Sequence, residues 1–131
     1  MQTKQDIAFS DVEWRIMRAL WKLGAPTLGE IVREVKDAGW TRHAVISFLK
    51  RLETKGYVRV DASQRPGRYM AAVTGSEARR SDAHQRLRNV YGGNLMLMVT
   101  NAVMSGELTD EETQQLIDIL QKGEKGHEDR T

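Results

Sequence analysis

At 131 residues the chain has room for one domain and an appendage, and a hydrophobic fraction of 40% is enough for a packed core. It has no cysteine, which excludes a disulfide framework, a thiolate nucleophile and a thiolate metal site. The net charge of +2 conceals a division: residues 1–90 hold 17 Lys and Arg against 10 Asp and Glu, whereas residues 91–131 hold 3 against 8. The front of the chain is suited to a polyanion and the back is not.

Residues 1–8 read as a loose arm. The N-terminus lacks an export-signal pattern, because residues 1–6 are polar and no apolar stretch follows. SDVE at 10–13 has the form of a capping box, in which a hydroxyl and a carboxylate satisfy each other's backbone N–H groups. It opens a helix with Val12, Ile16, Ala19, Leu20 and Leu23 as its stripe and Trp14, Met17 and Trp21 on the flanks. Gly24, Ala25 and Pro26 end that helix. TLGE at 27–30 is a second capping box, followed by Leu28, Ile31, Val32 and Val35 at helical spacing. Residues 37–40 turn the chain into a third helix.

The third helix, 41–56, carries the most information. Val45, Phe48, Leu49 and Leu52 recur at spacings of three and four, which puts them on one face. Thr41 serves as N-cap, and Gly56 as the stop. The opposite face holds Arg42, His43, Ile46, Ser47 and Lys50, with Arg51 beside them, and no acid comes before Glu53. A solubilising face mixes both signs. A basic face with small hydroxyl and imidazole groups suits phosphates and base edges. The plain alternative is a solvated helix that happens to be basic. Three short helices with tight connections suit a trihelical core.

After Gly56 the pattern changes. Residues 57–60 and 68–73 read as strands, joined by the turn-rich stretch 61–67. A helix ending in Gly and then a hairpin with a basic tip is the sequence form of a winged helix-turn-helix. Arg65 and Arg68 fall where a wing meets the sugar–phosphate backbone. An ordinary hairpin closing the core is the alternative, and the strands serve that purpose too.

A long helix is expected from 74 to about 91, with Ala78, Ala83, Leu87, Val90 and Tyr91 as its less polar positions. Gly92 and Gly93 break it. Asn94 caps a segment in which Leu95, Met98, Val99 and Ala102 form one stripe and Met96, Leu97 and Val103 widen it. TDEE at 109–112 is a further capping box before Leu116, Ile117 and Leu120, and residues 122–131 read as a frayed tail. The expected fold is mainly α with a small β-hairpin wing. A winged helix-turn-helix domain spans 1–74, and a C-terminal helical dimerisation region spans 75–131. The segment 95–104 is apolar nearly all round, which calls for a covering surface. A second copy of the chain is the economical one, giving a homodimer through Leu87, Tyr91, Leu95, Met98, Val99, Ala102, Leu116, Ile117 and Leu120. Folding back on the chain's own core is the alternative. The longest apolar run, 95–99, is far short of the roughly 20 residues that cross a bilayer, so membrane insertion is not expected. A cytoplasmic protein is.

The residues for catalysis do not assemble. His43, His84 and His127 are far apart and show no metal-ligand spacing. Met96, Met98 and Met104 at helical spacing read as packing. The Gly92–Gly93 pair fits no phosphate-binding loop, and no serine has a nucleophile context. The reading is a non-enzyme without metal or cofactor.

Several stretches together match a known pattern. FSDVEWRIMRALW at 9–21, TLGEIV at 27–32, GWT at 39–41, FLKRL at 48–52 and KG at 55–56 resemble the penicillinase repressor family, BlaI/MecI/CopY. VYGGNL at 90–95 and LTDEE at 108–112 resemble the same family's C-terminal part. The resemblance runs in order over nearly the whole chain. It implies a winged-helix homodimer that sits on a palindromic operator in double-stranded DNA and blocks transcription. By position, Arg42, His43, Ala44 and Ser47 would face bases, and Thr41, Lys50 and Arg51 would lie near phosphates. It also implies release by an inducing protease downstream of a membrane sensor, at a bond matching Asn101–Ala102. The chain departs from the family at three points. Ile46 stands where a basic residue is usual, Ala102 stands where an aromatic is common, and the Cys pairs of copper-responsive members are missing. Two other readings remain open: a winged-helix module that docks proteins, and an architectural DNA binder without sequence preference.

Overall fold

Helix starts in this chain are set by the same local chemistry used four times. The computed structural model describes residues 6–128, with side chains described to residue 123. Before α1 (Asp11–Leu23), the Glu13 N–H donates to Ser10 Oγ at 3.2 Å and the Ser10 N–H donates to Glu13 Oε1 at 2.9 Å. Thr27 and Glu30 form the same reciprocal pair before α2 (Leu28–Glu34). Thr74 and Glu77 do so before α4 (Gly75–Asn89), and Thr109 and Glu112 before α6 (Asp110–Glu128). Each box satisfies two N–H groups that a helix otherwise leaves open. Asn94 caps α5 (Leu95–Met104) by accepting from the Leu97 N–H at 3.0 Å.

Between α2 and α3 (Arg42–Thr54) lies a single 3₁₀ turn, Lys36–Ala38. Gly39 follows at φ 74°, a conformation that costs a side-chain-bearing residue strain, and redirects the chain into α3. Two antiparallel strands complete the fold. β1 (Val58–Asp61) pairs with β2 (Arg68–Ala71), and Val58 opposes Ala71 while Asp61 opposes Arg68. The first strand starts one residue later than its alternation suggests, because Tyr57 is held at the helix end: its N–H donates to Leu52 O at 2.9 Å. The second strand stops at Ala71, two residues early. Beyond it the Val73 carbonyl accepts from Trp21 Nε1 at 2.9 Å instead of continuing the ladder.

The core joins α1, α2, α3 and β1. Ile16, Met17, Ala19, Leu20, Ile31, Val35, Val45, Leu49, Leu52 and Val58 are buried together. Phe9, Trp14 and Trp21 line its edge in successive edge-to-face contacts. Met17, expected at the flank of α1, is fully buried, and Leu23, expected in the stripe, is exposed because the chain turns away at Gly24.

The chain divides into two compact units between Gln85 and Arg86, inside α4. The sequence reading places the boundary at 74/75. The first turns of α4 go with the N-terminal unit because Ser81 Oγ and Gln85 Nε2 bond to the backbone of Ile7, at 2.8 and 2.7 Å. Part of the expected N-terminal arm is thus tied down, and residues 1–5 of it lie outside the described residues. Where the sequence reads a frayed tail, α6 continues helically to Glu128, and residues 129–131 lie outside the described residues. No described helix is long and apolar enough to cross a membrane.

Candidate nucleic-acid interface

The third helix is held from three sides, and its free side is the one the sequence singles out. Thr41 Oγ1 accepts from the Ala44 N–H at 3.1 Å and so sets the first turn. Val45, Leu49 and Leu52 anchor the inner face in the core. Trp40 meets Phe48 edge-on, with ring centroids 5.1 Å apart, and fixes the entry angle. At the far end, Lys55 Nζ reaches Glu13 Oε2 at 2.9 Å and Oε1 at 3.2 Å, tying the end of α3 to the start of α1.

Arg42, His43, Ile46, Ser47, Lys50 and Arg51 are all exposed, as is Thr41, while Ala44 is half-buried. The first turn of α3 contains no acid, unlike those of α1, α2, α4 and α6. Its positive dipole end is therefore not neutralised from within, and an anion can occupy that place. Ile46 keeps 37% of its surface exposed in the middle of this polar face.

Glu13 is the buried charge behind the interface, with only 2% of its surface exposed. Burial raises its pKa, but the Ser10 N–H, the Lys55 ammonium and the Ser10 hydroxyl outweigh it, and the carboxyl sits below the ordinary glutamate value. The sequence gives away the capping role of Glu13 through its spacing from Ser10. Its link to Lys55 has no local signal, since 42 residues separate the two.

In the hairpin, Asp61 organises the tip. Its carboxylate accepts from the Ser63 N–H at 3.0 Å, from the Ser63 hydroxyl, and from Gln64 Nε2 at 3.4 Å. The Ser63 hydroxyl first, and then the Ser63 N–H, hold the Asp61 carboxyl below its ordinary pKa. The two expected wing arginines differ. Arg65 is exposed at the tip and makes no hydrogen bond or ion pair among the described residues. Arg68 is half-buried, with Nη1 on the Ala25 carbonyl at 2.9 Å and Nε on Gln64 Oε1 at 3.0 Å. Arg59, not among the expected wing cations, is an exposed cation on β1. Its signal was the alternation with the inward Val58.

The candidate pairing residues belong to helices that bury little. Met98, Val99, Leu87, Tyr91 and Leu116 are half-buried, and Leu95, Ala102, Ile117 and Leu120 are exposed. Met96 and Met104 are 70% and 79% exposed. No residue of α5 is buried, although α5 is apolar nearly all round. Asn101 and Ala102 lie within α5, both exposed. Among the described residues no three His, Asp or Glu side chains cluster closely enough to hold a metal ion.

Comparison with known proteins agrees with this architecture. A penicillinase repressor of Bacillus licheniformis is 28% identical over 114 residues, covering 86% of this chain and 89% of that protein. The methicillin resistance regulatory protein MecI of Mammaliicoccus sciuri is 24% identical over 114 residues, covering 86% of this chain and 93% of its own length. Among solved structures, a transcriptional regulator from Thermotoga maritima superposes with a TM-score of 0.50 at 18% identity, over 93% of this chain and 78% of that one, which supports the fold. The family model for the penicillinase repressor matches residues 9–122. With the capped helices, the hairpin and this match in hand, the chain belongs to the penicillinase repressor family and is, by that membership, a transcriptional repressor and not an enzyme.

Proposed function

We propose that the chain acts as a homodimer on a palindromic operator in duplex DNA, with α3 as the reading helix. The observation that carries this reading is the exposed outer face of α3, basic and free of acid from Thr41 to Lys50. Arg42, His43, Ala44, Ile46 and Ser47 take the base edges, and Thr41, Lys50 and Arg51 take phosphates. The hairpin adds sugar–phosphate contacts from its exposed cations. A protein of this kind works in the cytoplasm, where its operator is.

Support for the dimer comes from α5 and α6. An apolar helix without a single buried residue is costly in water, at about 25 cal/mol per Å². Pairing with the same surface of a second chain removes that cost and holds two reading helices at one spacing. Release by cleavage at Asn101–Ala102 has a stated requirement. The bond is helical, and the Asn101 carbonyl accepts from the Ser105 N–H at 3.1 Å. A protease acting there needs local opening of α5 first.

Selection of duplexes from a randomised pool by the full chain, followed by titration at several salt concentrations, tests the reading. An inverted repeat and a steep salt dependence are expected, because phosphate contacts release counterions. Equal affinity for selected and random duplexes would leave only a non-specific binder. Absence of duplex binding at low salt would remove the nucleic-acid reading altogether.

A further inference from the structure

The wing arginines are not equivalent, and the difference assigns them different work. Arg68 begins β2, and its backbone already touches the body of the domain: it forms an isolated bridge with Thr27, and the Tyr69 N–H donates to the Pro26 carbonyl at 2.9 Å. Its side chain spans the same seam. Nη1 donates to the Ala25 carbonyl at 2.9 Å and lies 3.7 Å from Glu30 Oε1, while Nε donates to Gln64 Oε1 at 3.0 Å. Gln64 in turn donates to Asp61 at 3.4 Å, so the guanidinium joins the hairpin tip to the turn between α1 and α2. A planar guanidinium serves several acceptors in fixed directions at once, which an ammonium on a flexible stem does not. Arg65, three residues earlier, has no hydrogen-bond or ion-pair partner among the described residues and is exposed at the tip.

We propose that Arg68 is a positioning residue, which braces the hairpin against the start of α2 so that Arg65, and not Arg68, makes the wing's phosphate contact. This rests on the nucleic-acid reading above and deepens it. A cation already committed to a carbonyl, an amide oxygen and a nearby carboxylate gains little from exchanging them for phosphate. Its loss acts through Arg65: an unbraced hairpin must be ordered again each time the tip binds, and that ordering lowers affinity.

The test is a double-mutant cycle on the full chain, read on a duplex selected from the randomised pool, with amide hydrogen exchange on the free protein. Arg65→Ala and Arg68→Ala are each expected to weaken binding about tenfold, the scale of one hydrogen bond to a charged group. Because Arg68 works through Arg65, the double variant binds about as weakly as Arg65→Ala alone. Two independent phosphate contacts would instead multiply to about a hundredfold, and that result overturns the proposal. Exchange at the Tyr69 amide should quicken about tenfold in Arg68→Ala while the core amide of Val45 is unaffected; an unchanged Tyr69 amide also overturns it. If Arg68→Ala loosens Val45 as well, Arg68→Lys carries the comparison. It keeps the charge, so a phosphate contact predicts parental affinity and a brace predicts loss with a faster Tyr69 amide. Should the parent chain bind no duplex, the nucleic-acid reading fails, and the Tyr69 exchange still decides the brace.

Discussion

Ile46 is the one large apolar side chain on a face that otherwise offers cations, a hydroxyl, an imidazole and the small Ala44. It cannot donate to guanine, but it can pack on a thymine methyl in the major groove. Replacing it with Lys or Arg is expected to change the preferred base at one position of each half-site and to leave the other positions alone. Binding-site selection with the two variants reads this directly, and an unchanged profile would remove Ile46 from the base contacts. Glu13 makes the second case at this scale. Its folded carboxyl sits below the ordinary value, so the stabilisation it gives is complete above about pH 4.3 and is lost as pH falls through the folded value. Glu13→Gln should therefore destabilise the chain at pH 7, by about 1–3 kcal/mol, and narrow the gap to the parent at pH 3. Denaturant titrations at both pH values check it, and an equal gap at each would mean that the charge of Glu13 is not what stabilises.

Among the elements, α3 shows how much a local pattern can carry. Its N-cap, its inner stripe and its exposed basic face are all legible in residues 41–56, because each depends on contacts within a turn or two. Arg42→Ala and Ser47→Ala are expected to reduce discrimination between operators, each good base contact being worth about 1–3 kcal/mol. Arg51→Ala should weaken binding to all duplexes alike and flatten the salt slope by about 0.9 for each chain engaged. Titration of the three variants on selected and random duplexes separates the roles. What holds α3 in place was not legible. The Lys55–Glu13 pair and the Trp40–Phe48 contact depend on which surfaces meet, and the first spans 42 residues of sequence. The helical continuation past residue 122 is likewise not legible, because its charged, Gly-containing composition reads as a tail.

For the whole molecule, the division of charge and the exposed apolar helices point to two kinds of work. A truncated chain ending at Asn89 keeps the Ser81 and Gln85 bonds to Ile7, and it is expected to fold as a monomer. The full chain is expected to sediment as a dimer. On a two-half-site duplex the truncated form should bind more weakly by about two to four powers of ten, since tethering two modules raises effective concentration without any new contact. A monomeric full chain, or a truncated form of parental affinity, would sink the dimer reading.

The sequence by itself determined where the helices begin, because a capping box is closed by residues three apart, and SDVE, TLGE and TDEE each formed one. It also determined which face of α3 is inward, since helical periodicity leaves no choice once four apolar residues share a stripe. Only the tertiary structure decided the fate of individual charges. Two arginines three residues apart in one hairpin read alike in the chain, yet Arg68 is drawn to a carbonyl 43 residues away while Arg65 stays at the exposed tip. Spacing records contacts made within a turn, whereas a bond across the core exists only after the helices have packed and brought its two ends together.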